Sequence, residues 1–146
     1  MISTPEYRIR VKAARQSCFD YEVNFADGRT GSAQIMFFPI SIFYHTFFYD
    51  HLLKEGLKPF STLTFINSFY PNGDLDHTKD KDAALMRHGA GSAVLELMIT
   101  DSIGYEADAM YGSTASPPMA RFLREKNKFV AYDDQRFYKL LPKANR

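Results

Sequence analysis

Two glycines, Gly89 and Gly91, stand directly before a run of helical period, Ser92-Ala93-Val94-Leu95-Glu96-Leu97-Met98-Ile99. Ser92, Glu96 and Thr100 form one polar stripe at i, i+4 and i+8, and apolar residues cover the rest of the surface. That pattern predicts a largely buried central helix. The first N–H groups of a helix have no intrahelical partner, and glycine lets a ligand come close to them. Bare amides at the positive end of a helix dipole suit a phosphate or pyrophosphate. The same two glycines serve equally well to make a tight turn before a core helix.

The elements that must position this turn are legible as changes of period. Tyr7 to Lys12 alternates polar and apolar residues, as does Phe19 to Phe25 with Phe19, Tyr21, Val23 and Phe25 on one face. Asp27-Gly28 sits in the connection to Ser32–Phe38, so the front of the chain reads as an antiparallel meander. Pro39 ends that strand, and from Ser41 to Glu55 the spacing becomes helical, with Gly56 suited to a C-terminal stop. Ser61 to Tyr70 is strand-like and ends at Pro71, and Asn72 to Asp82 reads as a solvated charged loop. The central helix ends near Gly104. Ala107 to Tyr111 follows as a short strand, Pro117-Pro118 opens another helix, and Phe129 to Leu140 holds one or two last strands around Asp133-Asp134. Antiparallel at the front and alternating at the back, the order gives an α+β class with a mixed, mostly antiparallel sheet and flanking helices.

Length, 146 residues, fits one domain spanning 1–146. A formal net charge of +1 gives no reason on charge to expect a nucleic-acid partner. Cys18 is the lone cysteine, which excludes an intrachain disulfide and a cysteine zinc site and fits a reducing cytosol. Met1 to Glu6 carries no signal pattern, and no apolar run reaches the ~18 residues of a membrane span. The expectation is a cytoplasmic chain without a membrane partner.

Several constellations are set aside on chemistry. Gly89-x-Gly91-x-x-Val94 has Val where a dinucleotide fingerprint needs Gly or Ala, and a charged loop where it needs a strand. The alternating Asp74, Asp76, Asp80 and Asp82 lack the glycine and the bidentate glutamate of a calcium loop. The four histidines, His45, His51, His77 and His88, show no zinc spacing, so no metal is expected. Thirteen Phe and nine Tyr with no Trp make aromatic content the compositional oddity, and seven of these rings lie between Phe37 and Tyr49. Three readings fit them: core, an aromatic-lined substrate pocket, or the face of a homodimer.

From the strand before the glycines to the C-terminus the chain resembles the GCN5-related N-acetyltransferases (the GNAT family). There a strand is followed by an Arg/Gln-x-x-Gly-x-Gly/Ala turn that opens a long helix, and here Gly89-Ala90-Gly91-Ser92 matches the Gly-x-Gly part. The resemblance implies a GNAT-like fold and acetyl-CoA as cosubstrate. Its pyrophosphate would meet the turn, through Arg87, His88, Gly89, Ala90, Gly91 and Ser92, and a backbone amide near Ser68 and Phe69 would stabilise the oxyanion. It further implies transfer of an acetyl group to an amine, taken as a small-molecule or peptide amine. The alternative is a non-catalytic binding module of the same fold.

This sequence departs from the family in places. The basic position of the turn falls on Met86, with Arg87 one residue late, and Asn72 to Met86 looks like an insertion. The tyrosine many members use as general acid aligns with Arg124. That residue could stabilise a thiolate electrostatically, whereas Tyr111 and Tyr132 are the candidates for a replacement acid.

Overall fold

The computed structural model describes residues 6–15, 17–73, 75, 79–80 and 89–143. Seven strands form one sheet in the order β1-β2-β3-β4-β5-β7-β6. They are β1 Tyr7–Arg15, β2 Cys18–Phe25, β3 Thr30–Pro39, β4 Thr62–Tyr70, β5 Ala109–Ser113, β6 Val130–Ala131 and β7 Arg136–Leu140. Among the described residues the helices are α1 Phe47–Lys54, α2 Ala90–Gly104 and α3 Pro117–Arg121, with a 3-10 turn at Ile40–Phe43 and a π turn at Phe122–Lys126. The α+β class with a mixed, mostly antiparallel sheet is therefore as the sequence predicts. Among the described residues no helix is long and apolar enough to cross a membrane. The chain packs as two compact units, 1–35 with 67–98 and 36–66 with 99–146.

In the first unit β1 and β2 pair antiparallel from Tyr7↔Phe25 to Arg15↔Cys18, with an irregularity between Ala13 and Arg15. The β2–β3 connection turns where Asp27 and Gly28 foretell it. Gly28 takes φ +93°, its N–H donates to Phe25 O at 3.0 Å, and Asp27 Oδ1 accepts from Arg29 N at 3.0 Å. Tyr21, Val23, Phe25, Ala33 and Ile35 are buried at period two, as alternation demands. The part of α2 in this unit buries Ala90, Val94, Leu95 and Met98 and exposes Glu96, so its polar stripe faces out.

The second unit is organised by its central strands. β4 and β5 run parallel through Leu63↔Ala109, Thr64↔Met110 and Phe65↔Tyr111, and β5 pairs antiparallel with β7. These registers place Phe65, Tyr111 and Tyr138 in one row across three strands. Helix α1 covers that row: Phe48, Tyr49 and Leu52 are buried in one apolar cluster with Leu63, Ala109, Tyr111 and Tyr138. The Phe48 ring meets Phe43 at 4.9 Å, Tyr132 at 4.9 Å and Tyr111 at 5.3 Å.

The helix expected over Ser41–Glu55 is broken, and the break has a visible cause. After the 3-10 turn, Tyr44 is extended and His45 takes φ +70°. Thr46 then caps α1, its Oγ1 accepting from Tyr49 N at 3.1 Å and donating to Phe43 O at 2.6 Å. Threonine competes well for the cap, so the chain restarts its helix there. At the other end Gly56 takes φ +100°, with Gly56 N bonded to Leu53 O and Leu57 N to Leu52 O. That is a Schellman stop, and only glycine adopts it without strain.

The break sorts the aromatic run. Phe48 is 1% exposed, whereas Tyr44 is 61% and Phe47 86% exposed. Phe48→Ala should therefore cost about 3–5 kcal/mol of unfolding free energy. Tyr44→Ser should stay within about 0.5 kcal/mol in the same denaturant titration. Equal costs for the two would contradict the assignment of one ring to core and the other to surface.

Candidate functional site

Of the glycine turn, Gly89 to Ser92 are among the described residues. Gly89 is exposed at φ +82°, in the left-handed region that favours glycine, and a Cβ there would meet nothing within 4 Å. Its carbonyl accepts from Ala93 N at 2.9 Å, closing the first turn of α2. Ala90 is buried, and Gly91 and Ser92 are half-buried. Arg87 and His88 lie outside the described residues, as does most of the Asn72–Asp82 loop. Ser68 and Phe69 are half-buried near the end of β4.

The two candidate catalytic residues fall in the second unit and differ sharply. Tyr111 is buried at Phe65↔Tyr111, the last rung of β4–β5 pairing, although β4 continues to Tyr70 and β5 to Ser113. Its ring lies against Phe65 at 4.9 Å and Phe43 at 5.2 Å. Burial pushes its phenol above the ordinary value, opposed by a hydrogen bond with Ser113 and by the Arg136 charge. It therefore holds its proton at neutral pH, as a donor must. Arg124 sits in the π turn with its side chain more than half exposed, 3.4 Å from Glu125 Oε1. A pair that open to water contributes little.

A cavity of about 430 Å³ opens at the start of α1, walled by Tyr44, His45, Thr46, Phe47, Phe48, Tyr49, Asp50, Tyr132 and Arg136. Its polar end is fixed by the β6–β7 turn. Asp133 Oδ2 accepts from Arg136 Nε at 2.8 Å and lies 2.7 Å from Nη2, while Asp133 Oδ1 accepts the backbone N–H groups of Gln135 and Arg136. The Arg136 guanidinium, and then these amides, hold the Asp133 carboxyl below its usual range. The same guanidinium lies 4.8 Å over the Tyr132 ring. Of the rings in the Phe37–Tyr49 segment, Phe48 and Tyr49 belong to the core, while Tyr44 and Phe47 are exposed at the mouth of this cavity.

One cluster escaped sequence reasoning. His51 Nε2 lies 2.8 Å from Tyr138 Oη, which donates to Glu55 Oε1 at 3.2 Å. His51 and Glu55 are one helical turn apart, a visible pairing. Nothing in the spacing points to Tyr138, which β7 brings up from the far end of the chain.

No family model matches the chain, and no curated protein does. Among solved structures, one described as AtaT complexed with acetyl-methionyl-tRNAfMet is similar over 86% of this chain and 72% of its own. The TM-score is 0.49 and the identity 8%, and at those values the likeness assigns no function. It does correct one expectation. The description of that structure names a tRNA, which conflicts with the expectation of no nucleic acid. The expectation of a small-molecule or peptide amine with no nucleic acid is withdrawn.

Burial and the Glu55 charge push the Tyr138 phenol up to about 12. The free phenol sits near 10, so ionisation favours the unfolded chain. The stability this group contributes is complete below about pH 10 and lost as the pH rises through about 12. Among the nine tyrosines, a phenolate absorbance titration should show a late step that Tyr138→Phe removes. Phenols that all titrate together near the ordinary value would contradict the burial of this hydroxyl.

Proposed function

We propose that this chain is an acyl-CoA-dependent N-acyltransferase that moves an acetyl group to an amine. The observation that carries the reading is a parallel β4–β5 pair joined through a crossover whose long helix opens on a left-handed, exposed Gly89. What supports a pyrophosphate at the turn is the open space at Gly89 and the general lack of intrahelical partners for the first N–H groups of a helix. Acetyl-CoA, once bound, supplies an acetyl group already activated as a thioester.

The residues of the chain do the rest. The amides of Gly89 to Ser92 would hold the diphosphate, and a backbone amide near Ser68 and Phe69 would meet the developing oxyanion. Tyr111, kept protonated by burial, would give its proton to the leaving sulfur. The cavity beside α1 would admit the acceptor. Arg124 keeps at most an electrostatic part, because a guanidinium does not give up its proton.

The test is thiol release from acetyl-CoA over acceptors that include an aminoacyl-tRNA. Wild type should bind acetyl-CoA and release thiol with at least one acceptor. Gly91→Val should abolish binding while leaving the fold intact. Tyr111→Phe should lower kcat about 100-fold, the lower range for a general acid, with little change in affinity. Absence of any acyl-CoA binding by wild type would overturn the reading. Binding without acceptor-dependent thiol release would make the chain a binding module.

A further inference from the structure

The His51–Tyr138–Glu55 cluster has a defined direction for its protons. A carboxylate only accepts hydrogen bonds, so the single Tyr138 proton goes to Glu55 Oε1 at 3.2 Å. The Tyr138 oxygen must then accept from His51 at 2.8 Å, which puts the imidazole proton on Nε2. The neutral ring keeps its lone pair on Nδ1. Glu55 Oε1 lies 3.6 Å from Nε2, close enough to stabilise a charge that arrives on the ring.

The cluster also adjoins the wall of the cavity at the start of α1. Tyr138 is 2% exposed and is the register partner of Tyr111, with Phe48 packed against both rings. The His51 ring lies 5.2 Å from that of Tyr132, a wall of the cavity beside α1, and about a third of its side chain is open to solvent. The groups facing His51 are Glu55 from its own helix, Tyr138 from β7 and Tyr132 from the β6–β7 turn. Arg136 stands beyond Tyr132, its charge compensated by Asp133.

We propose that His51 is the general base of the acyl transfer, with Tyr138 and Glu55 as positioning residues that fix its tautomer and support its charge. The proposal rests on the acyl-transfer reading above. The acceptor arrives as an ammonium ion. One N–H bond breaks, its proton passes to Nδ1, and the electron pair stays on nitrogen as the nucleophile. That pair forms the bond to the acetyl carbon, the carbon–sulfur bond breaks, and its electrons leave on sulfur. A second proton from the nitrogen is lost to solvent as the amide forms, sulfur takes the proton of Tyr111, and solvent reprotonates Tyr111. His51 returns its own proton to water. The balance is ammonium plus acetyl-CoA giving amide, free thiol and one proton.

The experiment is the kcat/KM–pH profile of thiol release for wild type, His51→Ala and Tyr138→Phe, with and without free imidazole, alongside acetyl-CoA binding by calorimetry. His51→Ala should bind acetyl-CoA as wild type does, lose about 100-fold or more in rate and lose the acid limb of the profile. Added imidazole should restore part of that rate, because the vacated site opens to solvent. Tyr138→Phe keeps the ring and its packing, so a loss of roughly 3- to 10-fold in kcat with unchanged KM is expected. Should His51→Ala fail to fold, His51→Gln takes its place, with the same loss of the acid limb. A His51 variant with wild-type rate and profile overturns the base, as does one whose loss imidazole does not touch and whose acid limb persists. In both cases acetyl-CoA turnover by wild type leaves the acyltransferase reading standing. Wild type with no acetyl-CoA binding overturns both.

Discussion

The parallel pairing of β4 with β5 is the constraint on which the rest depends. Antiparallel neighbours can be joined by a short turn, but parallel ones need a crossover that carries the chain back to the same end of the sheet. The chain between Tyr70 and Ala109 makes that return, and α2 lies within it. That helix opens on Gly89, which is exposed and takes φ +82°. Pairing ends at Phe65↔Tyr111 although both strands go on, so the last rung combines a buried phenol with the end of regular hydrogen bonding.

Aromatic packing then fixes what stands on that rung. The row Phe65, Tyr111 and Tyr138 is covered by Phe48 and Leu52 of α1, and large rings dominate such cores because each removes much apolar area from water. Two of the three residues in the row are tyrosines whose hydroxyls must find partners. Ser113 answers for Tyr111, and His51 with Glu55 for Tyr138. The polar chemistry of this unit thus follows from the decision to build an aromatic row with phenols. His45, held at φ +70° between the 3-10 turn and the Thr46 cap, is the local cost of turning α1 onto the row.

Much of this was legible because alternation and capping are local signals. Period-two burial in β2 and β3, the Asp27-Gly28 turn, the Pro39 and Pro71 strand ends and the Gly56 stop each depend on residues close in sequence. The break at Tyr44–Thr46 was missed because apolar spacing runs through it, and a cap threonine inside an aromatic run looks like one more helical residue. The His51–Tyr138–Glu55 cluster was missed for the opposite reason. His51 and Tyr138 are far apart in sequence, and only the β5–β7 register brings Tyr138 under α1. Charge balance could not decide partners, since a sum over the whole chain says nothing of where charges sit.

The central claim is that the amides opening α2 receive the diphosphate of an acyl-CoA. Amide resonances of the nitrogen-15-labelled protein, followed as acetyl-CoA is added, test it at single-residue level. The account predicts that Gly89, Ala90, Gly91 and Ser92 shift first and furthest, in a saturable manner, and that coenzyme A without its acetyl group moves the same four. Saturable shifts elsewhere with these four unmoved, or no shifts at all, would contradict it.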